Sequence, residues 1–268
     1  AALRTLAPDL AASPSATVED RKFVTALGRG FDVLRAFQLR AGSLSNKEIA
    51  ELTGIPKPSV SRLTHTLGRL GYLRQRDADG RYELSLAVLS LGYPMLSGSR
   101  VRHVAHDFMT KLAAAHDCTV MLAARDGLAM VVVDERSGPS STTMRVDVGA
   151  RIEISRSAIG RAYLAGTSEE EQRTLLAELK RHHGAEWREL EPRVLGAIEE
   201  FRKCGFCLVE GEWRRDTRSV AAPLVNQATV MVLGCGSPLF AVSHAVFEDQ
   251  IGPHLVHVAG ALSKFIDP

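Results

Sequence analysis

Between Ile55 and Arg76 the charged side chains are Lys57, Arg62, Arg69, Arg74 and Arg76, with no acid among them, although the chain of 268 residues carries a net charge of only +2. A segment of one sign inside a nearly neutral chain is the footprint expected of a polyanion partner, the plain alternative being a solvated helix face. A second constellation is the C-x-x-C formed by Cys204 and Cys207, which could be half of a zinc site or a redox pair. A structural zinc site needs four ligands, and neither a second C-x-x-C nor an H-x-x-x-H follows. His182 and His183 lie upstream, but adjacent histidines on a regular element point in different directions. Free thiols at Cys118, Cys204, Cys207 and Cys235 are therefore the favoured reading, with a redox- or metal-responsive site at Cys204 and Cys207 as the alternative. Enzymatic signatures are missing: there is no G-x-S-x-G, no H-E-x-x-H and no P-loop, and Gly28-Arg29-Gly30 falls within a helical pattern with no strand before it. No catalytic residue, cofactor or metal is expected, and an enzyme is the weaker rival reading.

The basic residues must be positioned by local structure, and the flanking pattern is specific. Phe23, Val24, Leu27, Phe31, Leu34 and Phe37 recur at helical spacing. Ser45-Asn46-Lys47-Glu48 is a capping box opening a short helix that stops at Gly54. A turn at Ile55-Pro56-Lys57 follows, and Pro58 sits where a helix start tolerates proline. The next helix has Val60, Leu63, Leu67 and Leu70 on its inner stripe, which leaves Ser61, Arg62, His65 and Arg69 facing outward and Ser59 at the N-terminal end. Tyr72 to Arg76 and Arg81 to Leu84 read as strands joined by a turn at Asp77-Ala78-Asp79-Gly80. Helix, short helix, turn, helix and hairpin make a winged helix-turn-helix. In that geometry the N-terminal part of the last helix reaches base edges in the major groove. Arg62 is the expected base reader, since its planar fork matches guanine N7 and O6, and Ser59, Ser61 and His65 share its face. Lys57, Ser45 and the wing residues Arg74, Arg76 and Arg81 are placed for phosphates. One such domain reads few base pairs, so a symmetric pair on a pseudo-palindromic duplex site is expected.

The remainder changes character. Residues 1–19 read as a flexible tail with Pro8 and Pro14, 20–85 as the winged helix-turn-helix, 86–100 as a linker helix interrupted near Pro94, and 101–268 as a second domain. A helix carrying Val101, Val104, Phe108 and Leu112 leads into short apolar strands, Thr119 to Ala124 and Leu128 to Val133, with more extended chain from Thr143 to Ile154. Helices follow over Ala158 to Ala165, from Ser168 (a second capping box with Glu171) to His182, and from Pro192 to Cys204. Strands at Phe206 to Glu210, Ser219 to Val225 and Thr229 to Cys235 precede a last helix over His244 to Phe265. Helices around a mostly antiparallel sheet make an α+β domain. With 45% apolar and 24% charged residues, no apolar run near the ~20 needed to span a bilayer, and no signal-peptide pattern at the start, a cytoplasmic protein without membrane contact is expected.

Taken together, these residues resemble the IclR family of bacterial regulators over nearly all of the chain. The N-terminal blocks are Phe31-Asp32-Val33-Leu34-Arg35-Ala36-Phe37, Glu48-Ile49-Ala50, Gly54 to Leu63, and Leu67 to Leu73; the C-terminal ones are Ser157 to Ala165, Gly205-Phe206, Glu210-Gly211-Glu212 and Ser219 to Leu224. Asp20 to Val24 and Leu91-Gly92-Tyr93 are similar to the branch that controls aromatic-acid breakdown. The resemblance implies a homodimer or dimer of dimers and a GAF-like effector domain, whose ligand lies between the sheet and neighbouring loops. Matching positions are Ala158-Ile159-Gly160, Glu212, Ser219 and Gly234-Cys235-Gly236-Ser237. Glycines admit a ligand close to backbone N–H groups, Ser219, Cys235 and Ser237 offer small polar contacts, and a carboxylic acid suits the helix start near Ser157. Met121, Met130 and Val132 could line an apolar wall, and Arg151 and Arg156 flank the loop. At Pro58 the family more often has a serine, so one capping hydroxyl and one backbone donor toward phosphate are lost here.

Overall fold

The computed structural model describes residues 22–40, 42–76, 79–139, 144, 146–227 and 229–266. The chain divides into two compact units, Ala1–Ser97 and Gly98–Pro268. The tail at 1–19, the start of the 20–24 block, two residues of the wing turn and the extended chain at Thr143 lie outside the described residues.

The first unit contains α1 (Thr25–Leu39), α2 (Asn46–Thr53), α3 (Lys57–Arg69), the hairpin β1 (Leu73–Gln75) and β2 (Tyr82–Leu84), and α4 (Leu86–Ser97). Its core joins Val33, Ala36 and Phe37 of α1 to Leu44, Ile49, Ile55, Val60, Leu67 and Leu73. Gly54 ends α2 at φ 70°, a left-handed conformation that costs glycine little, and its N–H returns to the Ala50 carbonyl. Leu44 bridges Tyr82, so the loop before α2 forms a third edge on the hairpin. Two inner stripes differ from expectation. In α1 only the C-terminal half packs inward, and Phe23, Val24, Leu27 and Phe31 are exposed. In α3 Leu63 packs against the core as expected and Thr64 joins it as a fully buried neighbour, while Leu70, past the end of the helix, is exposed. Pro94 does not interrupt α4. The helix runs through it, none of its residues is buried, and Leu86, Leu89, Leu91, Tyr93 and Met95 face outward.

In the second unit α5 (Arg100–His116) precedes β3 (Thr119–Asp126), β4 (Ala129–Ser137) and β5 (Arg151–Glu153). Then come α6 (Ala158–Gly166), α7 (Glu169–His183), a 3-10 turn and α8 (Trp187–Cys204). β6 (Cys207–Glu210), β7 (Thr217–Asn226) and β8 (Thr229–Pro238) complete an antiparallel sheet of order β5-β4-β3-β8-β7-β6. Met121, Ala123, Met130, Val132, Ala221 and Val232 pack on one face against Ala162, Leu175, Leu179, Leu190 and Val194 of α6–α8. The other face is covered by α5 and the C-terminal helices. The C-terminal segment is not one helix: a short α9 (His244–Val246), a π turn at Phe247–Ile251 and α10 (Gly252–Leu262) follow one another, with Pro253 in the first turn of α10. Pro192 lies inside α8, which starts earlier, at Trp187. The second capping box is half formed. Ser168 caps α7, but the Glu171 carboxylate turns to Thr167, Tyr163 and Arg125 instead of the cap.

Candidate DNA interface and effector cavity

The capping box fixes the first of the two helix-turn-helix elements. The Ser45 N–H donates to Glu48 Oε2 at 2.9 Å, the Ser45 hydroxyl donates to the same oxygen at 2.8 Å, and the Glu48 N–H donates to that hydroxyl. The Ser45 backbone and hydroxyl donors, together with Arg81 and Arg40, hold the Glu48 carboxyl down at about 2. Arg81 is bound at three points: Nη2 to Glu48 Oε2 at 2.7 Å and to the Ser43 carbonyl at 2.7 Å, and Nε to the Ser43 hydroxyl at 3.0 Å. The two residues expected to meet phosphates from this corner, Ser45 and Arg81, are thus occupied within the fold. Sequence reasoning missed the lock between the helices. The buried Thr64 hydroxyl donates to Asn46 Oδ1 at 3.0 Å and so ties α3 to the first turn of α2. Its signal was the inward spacing of position 64 between Val60 and Leu67.

The outer edge of α3 is open. Lys57, Ser61, Arg62, His65 and Arg69 are exposed and Ser59 is half-buried at the helix start. Arg74 reaches across the wing to Glu83 but keeps three quarters of its side chain in solvent, and Arg76 is exposed at the wing. Among the described residues no acid pairs with Lys57, Arg62, Arg69 or Arg76. A cleft of about 510 Å³ separates α3 from the wing, with His65, Arg69, Arg74 and Gln75 on its walls. A helix edge carrying unpaired cations and hydroxyls beside a basic wing is what a duplex groove accepts.

In the second unit, the residues expected at the ligand site separate into three places. Ser157 caps α6, accepting from the Gly160 N–H at 3.1 Å and donating to the Glu153 carbonyl at 2.6 Å. Ser157, Ala158, Ile159, Ser219 and Cys235 border a narrow cavity with Met121, Met144, Ile152 and Trp213. Its volume of about 10 Å³ has room for a single water at most. Ser219 pairs with Gly236 and Ala221 with Gly234, so both glycines present the cavity face of β8. A Cβ at Gly234 would lie 2.5 Å from Ile159 Cγ2, and one at Gly236 would lie 2.6 Å from Met144 Cε. Gly160 is required by packing, because a Cβ there would meet the Ile154 backbone at 2.3 Å.

Cys235 and Ser237 correct the sequence reading. Strand alternation turns their side chains to the opposite face, where Cys235 Sγ lies 2.9 Å from Cys118 Sγ and the Ser237 hydroxyl is buried against the Pro238 carbonyl. Only their backbone can border the cavity. Glu212 is elsewhere: it holds the buried Arg161 guanidinium through two bonds of 2.9 and 2.6 Å, also meets Arg193, and walls a separate groove of about 600 Å³ beside Cys204, Phe206 and His244. Met130 and Val132 belong to the core, Arg151 pairs with Asp126, and Arg156 pairs with Glu153 and Glu186. Met144, Ile152 and Trp213 were not foreseen; Trp213 directly follows the Glu210-Gly211-Glu212 block, which was the available signal.

Next to the cavity, His183 Nε2 lies 3.2 Å from Glu153 Oε1 and 3.1 Å from the Ser155 hydroxyl, and its ring stacks on Trp187. The hydrogen bond to Glu153 raises the His183 pKa against its burial. Burial pushes Glu153 up, but bonds from His183 and Ser155 outweigh it and hold the carboxyl below its ordinary value. Cys204 and Cys207 are not bonded to one another: Cys204 is exposed and donates to the Glu200 and Phe206 carbonyls, whereas Cys207 is buried, donates to the Ala197 carbonyl and is pushed up to about 12 by that burial. No group of three or more His, Cys, Asp or Glu among the described residues is arranged to hold a metal.

A winged helix-turn-helix with an open cationic edge, followed by a helix-covered antiparallel sheet, defines a helix-turn-helix transcriptional regulator. Residues 26–77 match the IclR helix-turn-helix domain, and residues 94–255 match the family described as bacterial transcriptional regulator IclR C-terminal. The chain belongs to the IclR family of bacterial transcriptional regulators. It is 29% identical over 262 residues to the Pca regulon regulatory protein of Pseudomonas putida, covering 94% of this chain and 88% of that one. It is 28% identical over 236 residues to the HTH-type transcriptional regulator TsaQ1/TsaQ2 of Comamonas testosteroni, covering 87% and 84%. Among solved structures, an IclR family transcriptional regulator from Brucella abortus superposes with a TM-score of 0.80 at 42% identity, over 93% of this chain and 95% of that chain.

Proposed function

We propose that this protein regulates transcription as a homodimer, or a dimer of dimers, on a pseudo-palindromic operator, and that a small carboxylic acid in the second unit sets its affinity for DNA. The observation that carries the DNA reading is the edge of α3: Ser59, Ser61, Arg62 and His65 stand on one side of the helix start, and no described acid neutralises Arg62. Arg62 reads a base, Lys57, Arg74 and Arg76 hold phosphates, and Arg81 acts by bracing the wing on Glu48. Pairing is supported by the apolar side chains exposed just before and along α1 and on α4, where Phe23, Leu27, Phe31, Leu86, Leu89 and Tyr93 would otherwise meet water. Two half-sites would then lie about one turn, ~34 Å, or a multiple of it apart.

The acid reading rests on the cavity walls. Met121, Ile152, Ile159, Met144 and Trp213 suit an apolar or aromatic body, and the capped start of α6 with Ser157 and Ser219 suits a carboxylate. The cavity is too small for an acid as it stands, so a ligand must displace Ile159, Met144 or Trp213; differential affinity for that widened state is what shifts the regulator. The protein works by binding and not by catalysis, and no described helix is long and apolar enough to cross a membrane. The test is a thermal-shift titration with benzoate-type and short aliphatic acids against their methyl esters. Stabilisation by acids alone supports the assignment, and no stabilisation by any acid refutes it.

A further inference from the structure

Cys118 and Cys235 are 117 positions apart in the chain, yet their sulfurs lie 2.9 Å from one another and both residues are fully buried. Strand pairing brings them together. Val120 lies opposite Cys235 and Thr119 opposite Gly236, so Cys118, just before β3, stands diagonally across from Cys235 on the same sheet face. This is the face away from the effector cavity. Chain spacing alone does not reveal the pair, since the C-x-x-C draws attention to Cys204 and Cys207.

We propose that Cys118 and Cys235 are a peroxide-oxidisable dithiol that closes to an intramolecular disulfide and fixes two walls of the effector cavity. The link to the cavity is through the backbone. Cys235 stands between Gly234 and Gly236, the residues that face Ile159 and Met144. Cys118 precedes Thr119, whose hydroxyl donates to the Met144 carbonyl at 2.5 Å. A bond between the sulfurs therefore ties β8 to the segment that holds Met144, whichever ligand the cavity takes.

The chemistry needs one external reactant, hydrogen peroxide, small enough to enter where both thiols have no solvent contact. The two sulfurs are in contact, so either thiol can react first with the same balance, here Cys118. Its sulfur loses a proton to water and attacks one peroxide oxygen; the O–O bond breaks, and the departing hydroxide takes up a proton to leave water. The product is a sulfenic acid at Cys118. The Cys235 sulfur then attacks the Cys118 sulfur, the S–O bond breaks, and the departing hydroxide leaves as a second water with the Cys235 proton. Two thiols and one peroxide become one disulfide and two waters. Burial holds the Cys235 thiol protonated, so the reaction proceeds through local opening and is slow compared with that of an exposed thiol.

The test uses the full chain with Cys204→Ser, which removes the exposed thiol and with it cross-linking between molecules. The protein is treated with hydrogen peroxide, remaining thiols are alkylated under denaturing conditions, and the intact mass and a non-reducing peptide map are recorded. The expected result is an intact mass lower by two hydrogens and higher by one alkyl group, on Cys207, a peptide joining the Cys118 and Cys235 segments, a higher Tm, and reversal of the bond and the Tm gain by a dithiol reductant. Sulfinic acid at either position with the other thiol free, a disulfide to Cys207, or full alkylation of both Cys118 and Cys235 after prolonged treatment would each overturn the proposal. The readout is made on the native sequence at both positions, so it does not rely on Cys118→Ser or Cys235→Ser folding.

Discussion

Replacing Gly234 by alanine tests the cavity geometry directly, because the new methyl has one identified obstacle. It would sit 2.5 Å from Ile159 Cγ2, whereas carbon atoms in contact prefer about 3.5–4.0 Å, so something must yield by about 1 Å. Ile159 is 4% exposed, and the adjoining cavity of about 10 Å³ is too small to receive the displaced methyl. Overpacking of this kind costs about 1–3 kcal/mol. The φ of Gly234 lies outside the left-handed region, so alanine meets no backbone penalty and gains about 0.4–1 kcal/mol through the unfolded chain, leaving a net loss of about 0–2.5 kcal/mol. Ile159→Ala alone should cost about 2–5 kcal/mol as a large-to-small core change. In the double variant the obstacle is gone, and the measured cost should fall short of the sum of the two single costs by the overpacking itself, about 1–3 kcal/mol. Urea unfolding of the four proteins, compared at constant m-value, measures that coupling. Costs that add to within about 0.5 kcal/mol would show that Ile159 does not face Gly234, and the cavity as described would be wrong.

The other expectations concern the first unit and the cluster beside the cavity. The Glu48 carboxyl is depressed to about 2, so its contribution is complete above the unfolded value of 4.5 and disappears as pH falls toward 2; the Tm of the winged helix-turn-helix should drop across that window, and Glu48→Gln should flatten the drop. Thr64→Val keeps the shape but removes the bond to Asn46, and chemical denaturation should show a loss of about 1 kcal/mol. His183 is raised and Glu153 lowered, so their mutual support is complete below pH 6.5 and above pH 4.5 and is lost as pH rises through the His183 value; a Tm profile that His183→Asn leaves unchanged on the alkaline side would contradict the pairing. Arg76→Ala should reduce the salt dependence of DNA binding, lowering the slope of log K against log salt by about 0.9 for each phosphate no longer neutralised, whereas Arg81→Ala should lower Tm and leave the slope alone.

The first unit was largely legible because its signals are local. A capping box, a glycine stop, a proline start and a hairpin each declare themselves within a few residues, and all of them occur where the spacing put them. What differs there depends on neighbours: the outward turn of Phe23, Leu27 and Phe31 follows from where the core lies, and Thr64 is buried beside Leu63 although hydropathy does not single it out. In the second unit the strands were visible as apolar runs, but which face each residue presents depends on register, which no single run specifies. Cys235 and Ser237 were for that reason assigned to the cavity when their side chains face away from it. The family resemblance places Glu212 with them, while an ion pair with Arg161 draws it to another groove. Met144 and Trp213, which close the cavity, come from segments without periodicity.

Whether the start of α3 reads duplex DNA is tested most directly at Arg62. Operator sequences can be obtained by selecting bound duplexes from a randomised pool with the wild-type protein. Binding of the recovered site and its single-position variants is then measured for wild type and Arg62→Ala at fixed salt. Loss of a base-reading guanidinium predicts weaker binding by about 1–3 kcal/mol and relaxed preference at one position of each half-site. Unchanged affinity with an unchanged base preference would contradict it.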